Sequence, residues 1–231
     1  MFHLAPHVAA CRVDDQVVLL DLRRNRYFGI GREAARGLAC TVTGWPAIAT
    51  AEPQAIEHAS PDALVRLMRQ DLVRPGPTAS MPRHRLPAPA RTLGIGAPNP
   101  AMPSTASLSG RIVMSAITAW GWLRLWSFET IARRLARPVA TSDCAEPDPS
   151  CLAQVVGAYD SMRPLVLSRR DRCLHDSLTL ILVLRSRGVL ARWVIGVRVR
   201  PFAAHAWVQV GDLVLDDEHF RVGQFTPILV A

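Results

Sequence analysis

Lysine is absent from the chain, so the net charge of +8 over 231 residues comes from arginine alone. Aromatic residues are also few, at 6% of the sequence. The arginines are scattered among prolines and the predicted ends of helices and strands, and they form no basic stripe interleaved with aromatic residues. Such a stripe marks nucleic-acid-binding proteins. A nucleic-acid partner is therefore not predicted.

Paired cysteine spacing is missing as well. The five cysteines lie at positions 11, 40, 144, 151 and 173, an odd number without a Cys-x-x-Cys motif. This pattern favours neither a disulfide framework nor a structural zinc site. The first residues lack the basic start and apolar stretch of a signal peptide. We therefore expect a cytoplasmic protein without a metal or other cofactor.

A long hydrophobic run is the third missing feature. The most apolar run, Ile112 to Leu123, holds twelve residues before Arg124, whereas a membrane-spanning helix needs ~20. The stretch from Ser104 to Arg137 has instead the pattern of an amphipathic helix pair that packs on the C-terminal half. A transmembrane segment is not predicted, but the pattern permits peripheral contact with a membrane.

Length and composition indicate two globular domains. The chain is 49% hydrophobic and 20% charged, which supports a sizeable core, and 231 residues suit two domains of about a hundred residues each. Eight prolines among small residues lie between positions 74 and 104 and indicate a semi-extended linker. The predicted organisation is an N-terminal domain over 1–80, a linker over 81–104 and a C-terminal domain over 105–231.

The N-terminal domain is predicted to be a small winged-helix-like α+β unit. Three short strands are followed by a helix from Arg32 to Val42 and by one or two more helices between Glu52 and Leu72. The segment contains no constellation of reactive groups, and this favours a binding module. The strands are expected over Val8 to Val13, Gln16 to Leu22 and Arg26 to Ile30.

A buried helix is predicted from Asp171 to Gly188. Apolar residues recur at helical spacing through this stretch, Asp171 suits an N-cap, and Gly188 follows a basic last turn. Cys173 falls in the first turn, where open N–H groups and the helix dipole favour a thiolate. Cys173 is therefore a candidate nucleophile, although a cysteine is more often a small buried hydrophobic residue.

Two strands after this helix carry further candidate groups. Val189 to Arg200 predicts one strand, and a second strand begins near His205. Gly211-Asp212 predicts a hairpin turn before Leu-Val-Leu-Asp-Asp, which ends at Asp217. A thiol nucleophile, a histidine base and an orienting carboxylate are the parts of a catalytic triad. A zinc site from Cys173, His175 and His205 is the alternative, and it lacks a fourth ligand.

Several short motifs resemble the transglutaminase-like superfamily and, within it, the leader peptidases (B proteins) of lasso-peptide biosynthesis. Over roughly the last 125 residues the resemblance rests on Cys173-Leu174 with Ser177-Leu178, Arg187-Gly188-Val189, Val194-Ile195-Gly196-Val197, Pro201-Phe202, Ala204-His205-Ala206-Trp207-Val208 and Leu215-Asp216-Asp217. The N-terminal segment, through Val17-Leu-Leu-Asp-Leu and Arg26-Tyr-Phe-Gly-Ile, is similar to the PqqD-like precursor-recognition domain.

The resemblance implies a cysteine peptidase that binds the leader of a ribosomally made precursor and hydrolyses the bond joining leader to core. It implies Cys173 as nucleophile, His205 as base and Asp217 as orienter, with an ATP-dependent cyclase as partner. An acyltransferase using the same triad and a non-catalytic peptide-binding protein are the alternatives. A leader bound as an added strand at an open sheet edge would contact Arg26, Tyr27, Phe28, Ile30 and Leu67.

The choice between the two adjacent aspartates depends on the hairpin register. If Gly211-Asp212 is a two-residue turn, an ideal ladder puts Asp216 on the face of His205. A three-residue loop with a bulge would bring Asp217 there instead. The family pattern favours the second acidic position, and we therefore predict Asp217 with a bulged hairpin.

Overall fold

The computed structural model describes residues 1–46, 61–76, 86–93, 106–136, 149–166 and 172–231. The chain has a mixed α+β fold, as the sequence predicts. In chain order the elements are β1 (Phe2–Leu4), β2 (Val8–Val13), β3 (Gln16–Asp21), β4 (Arg26–Ile30), α1 (Arg32–Ala39), β5 (Val42–Thr43), α2 (Pro61–Arg69), β6 (Val73–Pro75), β7 (Arg91–Thr92), α3 (Ala106–Leu125), α4 (Phe128–Leu135), α5 (Pro149–Val166), α6 (Arg172–Ser186), β8 (Arg192–Val199), β9 (Phe202–Val210), β10 (Leu213–Val214), α7 (His219–Val222) and β11 (Thr226–Val230).

The N-terminal segment is built on the antiparallel sheet β2-β3-β4, whose three strands were all predicted. The first helix ends earlier than predicted, because Val42 turns into β5 and pairs with β1 in a second small sheet, β5-β1-β6. The helix predicted upstream of Leu72 is α2. Any further helix within 47–60 lies outside the described residues.

The sheet β2-β3-β4 is buried on both faces, which explains the continuous apolar run of β3. Val17 and Leu19 pack with α1 and α2 in one core. Val18 and Leu20 point to the opposite face and share a second core with the helices and sheet of the C-terminal half. The two predicted domains therefore pack on each other through a common hydrophobic core.

Polar contacts fix the same junction between the two halves. The first turn of α4 lies against the β3–β4 connection, where Leu22 O accepts from Glu129 N at 3.0 Å and Asn25 Oδ1 accepts from Phe128 N at 3.1 Å. The buried Glu129 carboxylate accepts from Arg23 Nε at 2.8 Å. The N-terminal sheet is thereby held in one orientation relative to α4.

The C-terminal half combines helices α3 to α6 with a five-stranded sheet of order β11-β8-β9-β10-β7. The helix pair α3 and α4 was predicted, and α5 extends the helix predicted over Gln154 to Met162. The strands β8 and β9 form the centre of the sheet, and β8 begins at Arg192, three residues later than predicted. Their two tryptophans, Trp193 and Trp207, are fully buried in separate clusters.

The predicted linker contains a structured segment. Residues 91–92 form β7, which pairs in parallel with β10 at the edge of the C-terminal sheet. The carbonyl of Pro87 accepts from Gln209 Nε2 at 2.9 Å, and Arg91 forms an ion pair with Asp212 at 2.6 Å. Within the stretch predicted as a linker, residues 91–92 therefore pair with β10, a contact that the sequence did not predict.

Across the described residues, no helix has the length and apolarity that crossing a membrane requires.

Candidate active site

Cys173 lies in the first turn of α6, as predicted, and its side chain is half-buried. The helix is fixed behind it by two buried contacts. Ser177 Oγ accepts from Trp193 Nε1 at 2.9 Å, and the Asp176 carboxylate pairs with Arg163 of α5 at 2.7 Å. The start of α6 is thereby tied both to β8 and to α5. Asp171, the predicted N-cap, lies outside the described residues.

His205 lies on β9 and is hydrogen bonded to the two other predicted triad members. Its Nε2 is 2.6 Å from Asp217 Oδ2. A further side-chain hydrogen bond joins the imidazole to Cys173. Asp217 is held in turn, since its Oδ1 accepts from Glu218 N at 2.8 Å and lies 3.7 Å from Arg221 Nη1. The structure brings Cys173, His205 and Asp217 together in one hydrogen-bonded chain.

The route by which Asp217 reaches His205 differs from the prediction. Val210 pairs with Leu213, so Gly211-Asp212 is a two-residue turn and the expected three-residue loop with a bulge is wrong. The ladder stops because Asp216 Oδ1 accepts from Val208 N at 2.8 Å, where a backbone carbonyl would otherwise bind. After Asp216 the chain leaves the sheet, and Asp217 turns to His205.

Hydrogen bonds around Cys173 and His205 favour the charged forms of both groups. Burial raises the pKa of the Cys173 thiol, but the bonds from His205 and from the N–H groups of Ala206 and Leu174 outweigh it, and the pKa is lowered. Burial lowers the pKa of His205, but its bonds to Asp217 and Cys173 raise it to about 9. The arrangement supports a thiolate–imidazolium pair near neutral pH.

The two adjacent aspartates have opposite electrostatic environments. Burial raises the pKa of Asp217, but the bonds from His205 and Glu218 N and the nearby charges of His205 and Arg221 lower it below its usual range. Burial raises the pKa of Asp216 to about 7, against the bond from Val208 N. Asp217 therefore supplies the full negative charge beside the imidazole, and Asp216 acts as a partly neutral backbone ligand.

Aromatic rings enclose His205 on its own face of the sheet. The imidazole stacks on Trp207 with a centroid distance of 6.2 Å and lies 5.3 Å from the ring of Phe225. Gly196 pairs with His205 across the ladder, and a Cβ there would come within 2.7 Å of the Trp207 ring and 2.9 Å of Phe225. Gly196 was part of the family motif, but sequence reasoning did not connect it with Phe225.

The predicted leader-binding residues lie in three different environments. Tyr27 on β4 faces the C-terminal half and meets Phe202 of β9 edge to face, with ring centroids 5.6 Å apart. Phe28 and Ile30 pack partly in the N-terminal core, and the Arg26 side chain is exposed. Leu67 is 3% exposed and packs within that core. The role predicted for Leu67 in leader binding stays a prediction, and in this structure its side chain is covered by its core neighbours.

A family model named Transglutaminase-like superfamily matches residues 114–230, a range that contains Cys173, His205 and Asp217. This match covers half of the sequence. The chain belongs to the transglutaminase-like superfamily. It is also similar to the Microcin J25-processing protein McjB of Escherichia coli, with 49% identity over 48 residues. That alignment covers 21% of this chain and 23% of the relative, so less than a quarter of the relative's length is matched. The search of solved structures found no match.

Two other histidines of this transglutaminase-like protein do not take part in the hydrogen bonds that join Cys173, His205 and Asp217. His175 Nε2 is 3.0 Å from the Ala116 carbonyl of α3, and His219 Nδ1 is 3.0 Å from Thr92 Oγ1 of β7. His175, one of the three ligands of the alternative zinc site, is therefore within hydrogen-bond distance of a backbone carbonyl. No three His, Cys, Asp or Glu side chains are placed to share a metal ion in the part of the chain that the structure describes.

Proposed function

We propose that the chain is a cysteine peptidase that removes the leader from a ribosomally made precursor peptide, in the manner of a lasso-peptide leader peptidase. The observation that carries the proposal is the hydrogen-bonded chain of Cys173, His205 and Asp217 at the start of a buried helix. Membership of the transglutaminase-like superfamily and the similarity to a microcin-processing protein support it.

The proposed chemistry follows from the charges of the three groups. The Cys173 thiolate attacks the carbonyl carbon of the scissile bond, and the carbonyl electrons move to oxygen. N–H groups of the first turn of α6, including that of Cys173, are the proposed donors to this oxyanion. The His205 imidazolium gives its proton to the leaving amine, the C–N bond breaks, and a thioester to Cys173 remains.

Hydrolysis of the thioester completes the proposed cycle. Neutral His205 takes a proton from water, the hydroxide attacks the thioester carbonyl, and the C–S bond breaks to release the leader carboxylate and the thiolate. The Asp217 carboxylate keeps its hydrogen bond to His205 Nε2 and so orients the ring. The other ring nitrogen exchanges protons with the reacting groups. Asp217 thereby stabilises each imidazolium that forms.

Leader recognition is assigned to the N-terminal sheet, as a PqqD-like unit. Among the described residues β4 pairs with β3 alone, and its other edge offers backbone groups to an added strand. The bound segment must send its C-terminal end toward Cys173, and Tyr27 at the beginning of β4 lies on that side. The leader would therefore run antiparallel to β4.

The test is to incubate the full chain with the precursor encoded beside its gene, in water enriched in oxygen-18. A peptidase releases leader and core by cutting one bond and places the heavy oxygen in the new leader carboxylate. When a primary amine is added, the leader carboxylate should remain the main product. An amide of that amine as the main product would support the acyltransferase alternative, and an uncut precursor would contradict the proposal. The freed core would pass to an ATP-dependent cyclase.

A further inference from the structure

The contact between Tyr27 and Phe202 joins the proposed leader-binding strand to the catalytic strand. Tyr27 belongs to β4, and Phe202 begins β9 only three residues before His205. The rings meet edge to face at 5.6 Å, yet Phe202 remains 54% exposed and Tyr27 half-buried. An aromatic pair that is only partly covered presents an apolar surface to solvent.

This apolar surface lies beside the nucleophile. Tyr27 packs in the same cluster as Leu174, which follows Cys173, and Ala206, whose N–H bonds to the Cys173 sulfur. Phe202 and Ala206 point to the same side of β9, because side chains alternate along a strand. The strand β9 therefore contacts β4 through Phe202 and Tyr27, and it contacts the start of α6 through Ala206 and Cys173.

The electrostatics agree with this placement. Burial raises the pKa of the Tyr27 phenol to about 12, and the negative charge of Cys173 adds to the effect. The phenol is therefore neutral at neutral pH, and its ring offers an uncharged surface to a substrate.

We propose that Tyr27 and Phe202 form a substrate subsite for a bulky apolar side chain on one of the two residues that precede the scissile bond. The inference rests on the proposed function and adds a specificity determinant to it. A leader running antiparallel to β4 passes Tyr27 immediately before it reaches Cys173, so its last residues come to lie against the exposed side of this aromatic pair. The N-terminal half thus contributes to the choice of the cleaved bond as well as to leader binding.

Peptidyl chloromethyl ketones test this subsite without the precursor. The Cys173 thiolate displaces chloride from such a reagent, forming a C–S bond as the C–Cl bond breaks. The full chain is treated with Gly-Gly, Phe-Gly and Gly-Phe reagents, and the rate of modification is followed by intact mass. Each rate is divided by that for iodoacetamide, which has no peptide side chain, and Cys173→Ala gives the background from other cysteines.

We expect one of the two Phe reagents to modify wild-type protein at least about 10-fold faster than Gly-Gly, as apolar pockets discriminate side chains of different size. Tyr27→Ala and Phe202→Ala should lose most of this preference, while Tyr27→Phe should keep it. Phe220→Ala removes another exposed ring, 62% accessible and on α7, and should also keep the preference.

The inference is overturned if wild-type protein shows no preference, or if Phe202→Ala retains it. Phe202 is more than half exposed, so its truncation leaves the fold intact and the result can be interpreted. The proposed peptidase function has a separate failure outcome. It would fail if the precursor stayed uncut although the protein still preferred a Phe reagent. A preference that is lost in both alanine variants and kept in Phe220→Ala supports the subsite.

Discussion

Asp217 Oδ2 lies 2.6 Å from His205 Nε2, although the hairpin that precedes it has the register that would place Asp216 on the face of His205 in an ideal ladder. Asp216 instead binds the backbone N–H of Val208 and ends the strand. The side chain of the first aspartate thus determines the position of the second.

Replacement of the two aspartates by asparagine should separate their roles. Asp217→Asn keeps the shape but removes the charge that orients and stabilises the imidazolium, so kcat/KM should fall by about 100-fold or more. Asp216→Asn keeps an oxygen that can accept from Val208 N, and cleavage should change by less than about threefold. Steady-state cleavage of precursor measures both. Equal losses in the two variants would contradict this division.

The pH profile of Cys173 alkylation should report the thiolate–imidazolium pair. The lowered pKa of Cys173 keeps the thiolate present at lower pH than in a free cysteine, whose pKa is about 8.5, and the thiolate is lost as pH falls through the lowered value. The iodoacetamide rate should therefore fall off at lower pH than it does for a free cysteine. In His205→Ala the inflection should move upward, and an unchanged profile would show that His205 does not stabilise the thiolate.

The loss of cleavage activity at alkaline pH should come from deprotonation of His205. Its raised pKa keeps the imidazolium present below about 9, and the proton donor is lost as pH rises through that value. In the unfolded chain the histidine and cysteine have lost their protons above about 8.5, whereas the folded imidazolium still holds its proton. The stability that this proton contributes is therefore lost as pH rises through about 9. The pH profile of precursor cleavage tests this assignment. A decline in rate that begins near pH 7 would contradict it.

Gly196 should not tolerate a side chain. A Cβ would overlap the ring of Trp207 at 2.7 Å and Phe225 at 2.9 Å, the two groups that enclose His205, and relief of such a clash costs about 1–3 kcal/mol. Gly196→Ala should lower both the melting temperature and kcat. Gly157→Ala is the matched control, since nothing lies within 4 Å of its Cβ and alanine suits a helix interior. Equal melting temperatures for the two variants would contradict the packing argument.

Most strands and helices could be predicted because their signals are local. The strands β2 to β4 have apolar runs separated by turns, α6 has helical spacing, and Gly188 at its end adopts a positive φ of 74°. A hairpin turn at Gly211-Asp212 was also predicted, although it is a two-residue turn and not the predicted three-residue loop with a bulge. Cys173 lies in the first turn of α6 as predicted, whereas β9 begins at Phe202, three residues before His205, which was predicted near the strand start.

The missed features depend on distant pairing. The strand β7 has two residues inside a proline-rich stretch and forms only because β10 offers it an edge. The strand β11 contains Pro227 and pairs with β8 through an irregular register. Tyr27 lies beside Phe202 because the two halves of the chain share a hydrophobic core. The sequence of β4 alone does not indicate which part of the protein packs against it.

The open edge of β4 should be detectable by proline substitution at each residue from Arg26 to Ile30. N–H groups along a strand alternate between its two edges, so alternate positions donate to β3 and to the added leader strand. Prolines at outward positions should weaken leader binding and leave the melting temperature nearly unchanged, whereas inward prolines should lower both. Calorimetric binding of leader peptide and thermal unfolding measure the two effects. Leader affinity that is insensitive to all five prolines would exclude strand addition at β4.

The Cys173→Ala variant tests whether Cys173 is the nucleophile of precursor cleavage. The variant removes one sulfur at a helix start, so it should fold normally and bind leader with unchanged affinity. Cys151→Ala, which removes a cysteine on α5, is the control for loss of a thiol. Precursor is incubated with wild type and both variants and followed by mass spectrometry. We expect cleavage by wild type and Cys151→Ala and none by Cys173→Ala. Cleavage by Cys173→Ala at the wild-type rate would exclude Cys173 as the nucleophile.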